Sequence, residues 1–242
     1  MSLHVIIPAR YGSSRFPGKP LVDIGGKPMI QHVMEQVAKA EDVTTVAVAT
    51  DDKRIAEAVE AFGGKVLMTP SELRSGSDRV ALAAEMLDLG PEELVVNVQG
   101  DQPLLPPEVI NQTAKPLLDE PRLGMSTPVM PIRRPEEVGD PNHVKVVMAE
   151  SGNALYFSRQ AIPHPRDGGH VTYYKHLGVY VFRNSFLAAF AKLPTGQLED
   201  LEKLEQLRVL EAGHAIRCVI TPFDSPEVDC PEDALRVAAL LD

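Results

Sequence analysis

Short apolar runs alternate along this chain with segments whose apolar residues recur at helical spacing. Residues 3–7 form an apolar run without alternation, which is typical of a strand buried on both faces of a parallel sheet. After Pro28 the apolar residues fall on one face of a predicted helix: Met29, Ile30, Val33, Met34 and Val37. The first unit of the chain is therefore a strand, a loop and a helix.

The same rhythm continues through the first half of the chain. Further strands are predicted at 43–49, 65–68 and 94–98, and further helices at 54–62 and 80–89. Strands separated by helices imply right-handed crossovers, and ligands in such sheets bind at the carboxyl ends of the strands. The predicted fold class is therefore α/β, with three αβα layers and a mostly parallel, doubly wound sheet.

The pattern changes after about Pro121, where prolines interrupt it at positions 128, 131, 135 and 141. More separated strands are predicted at 144–148, 154–158 and 176–182. We expect one domain over 1–242, with a smaller inserted β-rich subdomain at about 125–190. Leucines at near-three spacing from 198 to 210 predict one amphipathic helix that ends at Gly213, followed by a strand at 215–221 and a last helix.

The charge balance is acidic, with a formal net charge of −10 over 242 residues. Nucleic acid is not an expected partner, because non-specific binding needs an extended basic surface. Cys218 and Cys230 are too few for a disulfide framework. No apolar run approaches the ~20 residues that cross a bilayer, and no charged-then-apolar leader is seen. We therefore expect no membrane partner and a cytoplasmic location.

The loop after the first strand is basic in spite of this acidic background. Arg10, Arg15 and Lys19 lie in it, and no acidic residue occurs between Pro8 and Pro20. Its glycines allow close approach of a ligand, and the three cations suit phosphate oxygens. A solvated basic turn is the alternative. The loop has neither the Gly-Lys-Ser/Thr pattern of the P-loop nor a Gly-x-Gly-x-x-Gly fingerprint.

Two aspartates are candidate ligands of a divalent cation. Asp101 follows the strand predicted at 94–98, and a carboxylate at such a strand end can hold Mg²⁺ against a triphosphate. The alternative for Asp101 is a turn-forming role. Asp229 lies shortly before Pro231 and the last helix, so the residues alone favour a helix cap and a metal ligand equally.

Eight motifs, in chain order, resemble those of one enzyme family. They are Pro8-Ala9-Arg10, Ser14-Arg15-Phe16-Pro17-Gly18-Lys19-Pro20-Leu21, Ser75-Gly76-Ser77-Asp78-Arg79, Asn97-Val98-Gln99-Gly100-Asp101, Ala154-Leu155-Tyr156-Phe157-Ser158-Arg159, His176-Leu177-Gly178, Leu204-Glu205-Gln206-Leu207-Arg208 and Val228-Asp229-Cys230-Pro231-Glu232-Asp233. Together they resemble the 3-deoxy-manno-octulosonate cytidylyltransferase (CMP-Kdo synthetase) family of lipopolysaccharide synthesis. The resemblance covers nearly the whole chain and implies a nucleotide-diphospho-sugar transferase-like fold and a homodimer, formed through the β-rich middle region.

The resemblance also implies a role for each candidate residue. CTP is expected on Pro8, Ala9, Arg10, Ser13, Arg15, Lys19, Ser75, Gly76, Arg79 and Gln99. The sugar acid is expected on Gln99, Arg159, His176, Glu205 and Gln206. Asp101 and Asp229 are expected to hold Mg²⁺. The expected catalytic residues are Arg10, Arg15, Lys19 and Asp101.

Simpler roles stay open for several of these residues. The residues from Ser75 to Asp78 could only cap the following helix. Glu205 and Gln206 lie in a charge-rich segment where most polar side chains are solvated, and a single histidine such as His176 is usually structural.

The reaction implied by the resemblance is transfer of CMP from CTP to the C2 oxygen of an eight-carbon 3-deoxy sugar acid (Kdo), with release of pyrophosphate. Catalysis of such a phosphoryl transfer is mostly positioning and charge stabilisation. Two other classes of protein are alternatives. A nucleotide-sugar glycosyltransferase usually shows Asp-x-Asp, whereas Asp101 stands alone, and a catalytically silent regulator would be expected to have lost a cation or an acid.

Some positions depart from the commonest family pattern. Gln102 stands where Glu is usual, and Cys230 stands where Thr is usual. The segment 163–174 is short, and the segments 174–176 and 198–203 resemble the subgroup that activates an 8-amino derivative of the sugar. The acceptor is therefore either Kdo or 8-amino-3,8-dideoxy-manno-octulosonate.

Overall fold

The computed structural model describes residues 2–12 and 16–241. Its strands are β1 (Leu3–Ala9), β2 (Asp23–Ile24), β3 (Lys27–Pro28), β4 (Val43–Thr50), β5 (Lys65–Met68), β6 (Leu94–Asn97), β7 (Met125–Pro131), β8 (Lys145–Met148), β9 (Ala154–Ser158), β10 (Tyr174–His176), β11 (Tyr180–Arg183) and β12 (Arg217–Ile220). Its helices are α1 (Met29–Val37), α2 (Lys53–Ala61), α3 (Gly76–Met86), α4 (Pro107–Asp119), α5 (Glu136–Gly139), α6 (Asn184–Phe190), α7 (Gln197–Glu202), α8 (Leu207–Glu211) and α9 (Pro231–Ala238). None of the described helices is long and apolar enough to cross a membrane.

The described strands other than β2 and β3 form one 10-stranded sheet, in the order β5-β4-β1-β6-β11-β7-β10-β8-β9 with β12 beside β7. The pairs β5–β4, β4–β1 and β1–β6 are parallel, as the helical crossovers between them require. Beyond β6 the neighbours along this order pair antiparallel. The predicted α/β class is confirmed, and the β-rich region supplies the antiparallel strands of the same sheet.

The central strand β1 is buried on both faces. Val5 and Ile7 belong to one apolar cluster with Val33 of α1, whereas Ile6 belongs to a second cluster with Val80 of α3. The side chains of Val5, Ile6 and Ile7 are all 0% exposed. This explains why the sequence shows no alternation there, since helices cover both faces of the strand.

The single helix predicted from Leu198 to Gly213 is wrong. The chain forms α7 and α8 instead, and Lys203 between them adopts the left-handed conformation with a φ of 53°. Leu204 and Leu207 are buried after the break, whereas Leu201 of α7 is exposed, so only part of the leucine repeat reflects core contact. Because the chain turns here, residues 205 and 206 lie against α3 and β11 and not on a solvated helix face.

The strand predicted at 176–182 is also two strands, β10 and β11. They are separated by a bend in which Gly178 has a φ of 68°. The bend is needed because β10 pairs with β7 and β8, whereas β11 pairs with β6 and β7. The bend therefore lies where the chain changes its neighbour in the sheet.

Strand β7 was not predicted, because Pro128 and Pro131 interrupt its apolar pattern. Proline cannot donate a ladder hydrogen bond, so it is rare inside a sheet. Here Pro128 lies opposite the bend between β10 and β11, where its carbonyl oxygen accepts from the Leu177 N–H at 3.3 Å. The missing N–H of Pro128 therefore falls at an interruption of the neighbouring ladder.

Candidate functional site

Two adjoining cavities lie at the carboxyl ends of β1 and β6. The basic-loop cavity has a volume of about 370 Å³ and is lined by Pro8, Ala9, Arg10, Gly12, Lys19, Pro20, Arg74, Ser75, Gly76, Gln99, Gly100 and Asp101. The His176 cavity has a volume of about 340 Å³ and is lined by Gly76, Gln99, Asp101, Asn142, Val144, Arg159, His176, Gly178, Tyr180, Lys203, Leu204, Glu205, Gln206, Glu227 and Asp229. Gly76, Gln99 and Asp101 line both cavities, so a group held in one can meet a group held in the other.

Lys19 connects the basic loop to both candidate metal ligands. Its ammonium donates to Asp101 Oδ2 at 2.7 Å and to Asp229 Oδ1 at 3.3 Å. Burial acts to lower the pKa of Lys19, but attraction to Asp101 and the hydrogen bond with it, followed by the same effects of Asp229, raise that pKa overall. A protonated Lys19 therefore lies between two carboxylates at the junction of the cavities.

A backbone contact explains why Asp101 and Asp229 meet although they are far apart in the sequence. The Asp101 carbonyl oxygen accepts from the Val228 N–H at 2.9 Å. The segment before α9 is thereby fixed against the loop that follows β6. Asp229 then faces the same site as Asp101.

The structure decides one alternative for Asp229. The N-cap of α9 is Cys230, and the Asp233 carboxylate accepts from the backbone N–H groups of Asp229 and Cys230 at 2.9 and 3.1 Å. Cys230 therefore holds the N-cap position that was one alternative for Asp229, and Asp233 completes the capping box. The Asp229 side chain points to Lys19 instead.

The pair Asp101 and Asp229 suits a hard divalent cation. Asp101 Oδ1 is buried and has no hydrogen-bond partner in the part of the chain that the structure describes. Buried polar atoms are usually partnered, so such an oxygen fits a ligand position. Mg²⁺ commonly takes one or two carboxylates together with substrate phosphates. Within the described ranges no group of three or more His, Cys, Asp or Glu is arranged for a metal.

The predicted residues of the basic-loop cavity are brought together where the structure describes them. Arg10 is exposed and donates to the Leu73 carbonyl oxygen across the cavity. Ser75 is the N-cap of α3, since its Oγ accepts from the Asp78 N–H at 3.1 Å. The capping role is therefore real, and Ser75 lines the cavity as well. Ser13 and Arg15 lie outside the described residues, so their predicted contacts stay predictions.

Arg79 lines neither cavity, unlike the other described residues expected on the nucleotide. It is 0% exposed. Its guanidinium donates to Thr69 Oγ1 and lies 3.5 Å from Asp51 Oδ1. Burial lowers the pKa of Arg79, which Asp51 partly offsets. In this structure Arg79 ties α3 to the residues that follow β4 and β5, and so supports the cavity wall without reaching it.

Glu205 is fixed in the His176 cavity by residues from two other elements. Its carboxylate accepts from the Ser77 hydroxyl at 2.7 Å and from the Ser77 N–H at 3.3 Å. The Asn97 amide donates to the same hydroxyl at 3.0 Å. Burial raises the pKa of Glu205, and the hydrogen bonds from Ser77 oppose that rise. Glu205 is thus a positioned acceptor and not a solvated helix residue.

His176 is held in one tautomer by Thr127. The Thr127 hydroxyl donates to the Val179 carbonyl oxygen at 2.6 Å, so its oxygen accepts from His176 Nε2–H at 2.8 Å. Burial lowers the pKa of His176 to about 3. The imidazole is therefore neutral near pH 7, with Nδ1 as an acceptor.

The low pKa of His176 predicts acid sensitivity of folding. Below the unfolded pKa near 6.5, the unfolded chain binds a proton that the native chain does not, so stability falls as the pH falls from about 6.5 towards 3. His176→Gln should reduce this slope by up to about 1.4 kcal/mol per pH unit. Urea unfolding of both proteins at pH 7 and pH 5 measures the difference. Equal pH dependence of the two proteins would contradict a neutral buried His176.

Gln206 carries a second unsatisfied atom in the same cavity. Its Oε1 accepts from the Tyr180 hydroxyl at 2.9 Å, which fixes the orientation of the amide. Its Nε2 is buried without a hydrogen-bond partner among the described residues. A ligand oxygen would satisfy this donor. Sequence reasoning missed Tyr180, whose only signal was its position just after the His176-Leu177-Gly178 motif.

Arg159 lines the His176 cavity, and part of its guanidinium is engaged by backbone carbonyl oxygens. Its Nε donates to the Glu202 carbonyl oxygen at 2.8 Å, and its Nη1 donates to the Pro141 carbonyl oxygen at 2.9 Å. The guanidinium therefore braces the end of α7. The bidentate pairing with a substrate carboxylate that the sequence suggested is not preformed here.

Glu227 is a cavity residue that sequence reasoning missed. The Gln102 amide donates to it at 3.3 Å and to the Leu177 carbonyl oxygen at 2.6 Å. Glu227 reaches solvent, but desolvation by the surrounding cavity walls, followed by the charges of Asp101 and Asp229, raises its pKa to about 7. The available signal was its position two residues before Asp229, because residues two apart in an extended segment face the same side.

Comparisons with known proteins identify the relatives of this chain. The family model described as "Cytidylyltransferase" matches residues 4–216. A 3-deoxy-manno-octulosonate cytidylyltransferase of Desulfatibacillum aliphaticivorans is 56% identical over 242 residues, covering 100% of this chain and 99% of that protein. An 8-amino-3,8-dideoxy-manno-octulosonate cytidylyltransferase of Shewanella piezotolerans is also 56% identical, over 234 residues, with 96% of each chain covered.

Solved structures give the same result at the level of the fold. A CMP:2-keto-3-deoxy-manno-octonic acid synthetase complexed with CTP superimposes with a TM-score of 0.93 at 41% identity, covering 100% of this chain and 98% of that one. A 4-diphosphocytidyl-2C-methyl-D-erythritol synthase superimposes with a TM-score of 0.67 at 17% identity and shows a shared fold alone. From the family match and the full-length relatives, this chain belongs to the cytidylyltransferase family.

Proposed function

We propose that this protein transfers the cytidylyl group of CTP to a 3-deoxy-octulosonic acid and releases pyrophosphate, for lipopolysaccharide biosynthesis. The observation that carries the proposal is the junction of the two cavities, where Asp101 and Gln99 line both and Lys19 contacts Asp101. One cavity offers cations for a triphosphate, and the other offers fixed hydrogen-bonding groups for a polyol. The names of the relatives, and the CTP bound to the similar solved structure, support the same reaction.

The geometry suits an in-line displacement. CTP would occupy the basic-loop cavity, and the acceptor would enter the His176 cavity with its C2 oxygen towards the α-phosphorus. The new bond joins that oxygen to the α-phosphorus as its hydroxyl proton is lost to solvent. The bond from the α-phosphorus to the bridging oxygen breaks, and its electron pair leaves with pyrophosphate. Arg10 and Lys19, with Arg15 as a sequence prediction, would stabilise the charge of the leaving pyrophosphate.

Magnesium dependence is part of this proposal. Asp101 and Asp229 would hold the ion, which fits the buried, unpartnered Oδ1 of Asp101. When bound, Mg²⁺ would neutralise phosphate charge and lower the pKa of the acceptor hydroxyl. Lys19 would keep the two carboxylates in place before substrates arrive, since it contacts both.

The acceptor proposed is Kdo, and its 8-amino derivative is the alternative. The His176 cavity offers hydrogen-bond acceptors from Glu205 and from the neutral His176. It also offers one unsatisfied donor, Nε2 of Gln206. Such groups suit sugar hydroxyls. No observation favours the glycosyltransferase alternative, since Asp101 is a single aspartate in the loop after β6 and forms no Asp-x-Asp motif. A cytoplasmic location stays a prediction from the sequence, with which the free Cys218 and Cys230 are compatible, and a homodimer stays a prediction of the resemblance.

Product analysis tests the proposed function. Incubation with CTP and Mg²⁺ and either Kdo or 8-amino-Kdo should yield a CMP-sugar conjugate that mass spectrometry detects. ATP and UTP, in place of CTP, should yield far less conjugate. The ratio of kcat/KM for the two sugars identifies the acceptor. Absence of conjugate with both sugars would contradict the proposed function.

Glu205 should affect acceptor binding more than nucleotide binding. It lines the His176 cavity but not the basic-loop cavity. Glu205→Gln should raise the KM for the acceptor about 10-fold or more, the size expected for one charge-assisted hydrogen bond, while the KM for CTP changes within about 2-fold. Steady-state kinetics with each substrate varied measures both constants. The exposed Glu150→Gln is the matched control, and equal rises in both KM values would contradict the assignment.

A further inference from the structure

Tyr11, at the start of the basic loop, is covered by a cation from a neighbouring helix. The Arg54 guanidinium carbon lies 3.3 Å from the centre of the Tyr11 ring. The same guanidinium is held by the Asp52 carboxylate, with Nε–Oδ1 at 3.0 Å and Nη2–Oδ2 at 2.7 Å. Asp52 is in turn the N-cap of α2. The Tyr11 ring is therefore pressed from one side by a group that α2 holds in place.

A second contact of Tyr11 is Gly18, at the end of the loop. The Gly18 N–H donates to the Tyr11 carbonyl oxygen at 2.9 Å. A Cβ built on Gly18 would lie 3.0 Å from the Tyr11 ring carbon Cζ and its hydroxyl oxygen, so the ring lies directly against this glycine. Gly18 also has a φ of 74°, a conformation that side-chain-bearing residues rarely adopt. Tyr11 thus contacts the loop end through both its backbone and its ring.

The residue after Gly18 is Lys19. Gly18 is the N-cap of a 3-10 turn over Lys19–Leu21, and the Gly18 carbonyl oxygen accepts from the Leu21 N–H at 2.8 Å. The direction in which Lys19 leaves the backbone is therefore set by the position of Gly18. Its ammonium then reaches Asp101 at 2.7 Å. The contacts run without a gap from α2 through Arg54, Tyr11 and Gly18 to the lysine at the cavity junction.

Neither Tyr11 nor Arg54 lines the basic-loop cavity or the His176 cavity. We propose that Tyr11 and Arg54 are positioning residues, which fix Gly18 and so aim Lys19 at the reacting phosphates. The proposal rests on the proposed cytidylyl transfer, because it assigns these residues an effect on that reaction. A displaced catalytic group can cost a large factor in rate, since catalysis here depends on positioning.

A double-mutant cycle with Lys19 tests the proposal. Tyr11→Ala should lower kcat about 10-fold or more, whereas Tyr11→Phe, which keeps the ring, should stay within about 2-fold of the native protein. In a Lys19→Ala background, Tyr11→Ala should change kcat by no more than about 2-fold, because the group it positions is gone. Arg54→Met, which removes the cation and leaves the Tyr11 ring, should lower kcat about 3-fold or more in the native background and by less than about 2-fold in the Lys19→Ala background.

Controls distinguish a loss of Lys19 positioning from a general change in charge or stability. Lys53→Ala removes an exposed charge from the same helix turn and should leave kcat unchanged. Thermal unfolding shows whether the Tyr11→Ala protein stays folded. If it does not, the double-mutant cycle of Arg54→Met with Lys19→Ala provides the test. Equal losses in the native and Lys19→Ala backgrounds would overturn the proposal, as would native kcat for both Tyr11→Ala and Arg54→Met. A native protein that makes no CMP-sugar would instead overturn the proposed function.

Discussion

Replacement of Asp101 by asparagine should lower the rate of pyrophosphate release at least ~10³-fold, the upper range for loss of one preorganised electrostatic group. Asp101 lines both cavities, and its Oδ1 is buried without a partner among the described residues. Asparagine keeps the shape of the side chain but removes its charge, so it is a poor ligand for Mg²⁺. The rate is measured at saturating CTP and acceptor. The affinity for Mg²⁺ is measured by calorimetry with the protein and Mg²⁺ alone, without substrates.

The fold of the Asp101→Asn protein should be retained, because Lys19 keeps its contact with Asp229 at 3.3 Å. Thermal unfolding checks this. Asp119→Asn is the matched control, since Asp119 lies in an exposed pair with Lys115 on α4, far from both cavity linings. Native rates of pyrophosphate release by folded Asp101→Asn protein would contradict the role of this carboxylate.

Lys19→Ala should lower kcat about 10²-fold or more, the range expected for one preorganised charged donor. Its raised pKa means that it is protonated near pH 7. In the proposed transfer its ammonium would stabilise the charge of the leaving pyrophosphate. Without Lys19, the carboxylates of Asp101 and Asp229 also lose the cation that both contact. Steady-state rates with saturating substrates measure the loss.

The control for Lys19→Ala is Lys27→Ala. Lys27 pairs with Glu35 at 2.8 Å on the exposed surface near the same loop, so its removal changes net charge equally without touching a cavity wall. Native kinetics are expected for this control. If the Lys19→Ala protein retained more than about a third of the native kcat, the lysine could not have the stabilising role assigned to it.

The parts of this molecule that short-range patterns determine could be predicted from sequence. The apolar run that became β1 is followed by a loop whose cations have no local acid to pair with, and both features are local. Asp101 was likewise predicted by its place after β6, since strand ends in a parallel sheet define where ligands bind.

Features that depend on distant contacts could not be predicted in this way. The capping alternative for Asp229 was decided by Asp233 and by the backbone contact between Asp101 and Val228. The break at Lys203 has no glycine or proline to mark it, and the leucines buried next to it, Leu204 and Leu207, both follow it. β7 was hidden by Pro128, whose missing N–H is harmless only beside the bend between β10 and β11.

The same distinction between local patterns and distant contacts applies to individual site residues. Glu205 and Gln206 were suggested by a motif, but the atoms they offer depend on partners from α3 and β11. Arg79 belongs to a motif with Ser75 and Gly76, yet helical geometry turns it into the core. A motif therefore indicated the neighbourhood of the site, whereas tertiary packing determined which side chains reach it.

The most direct test of the proposed activity is pyrophosphate release from CTP with and without an octulosonic acid. With CTP and Mg²⁺ alone the native protein should release almost none. Addition of Kdo or 8-amino-Kdo should start release, with one pyrophosphate formed for each sugar consumed. Release at the same rate without a sugar acid, or no release with either sugar, would contradict cytidylyl transfer across the junction of the two cavities.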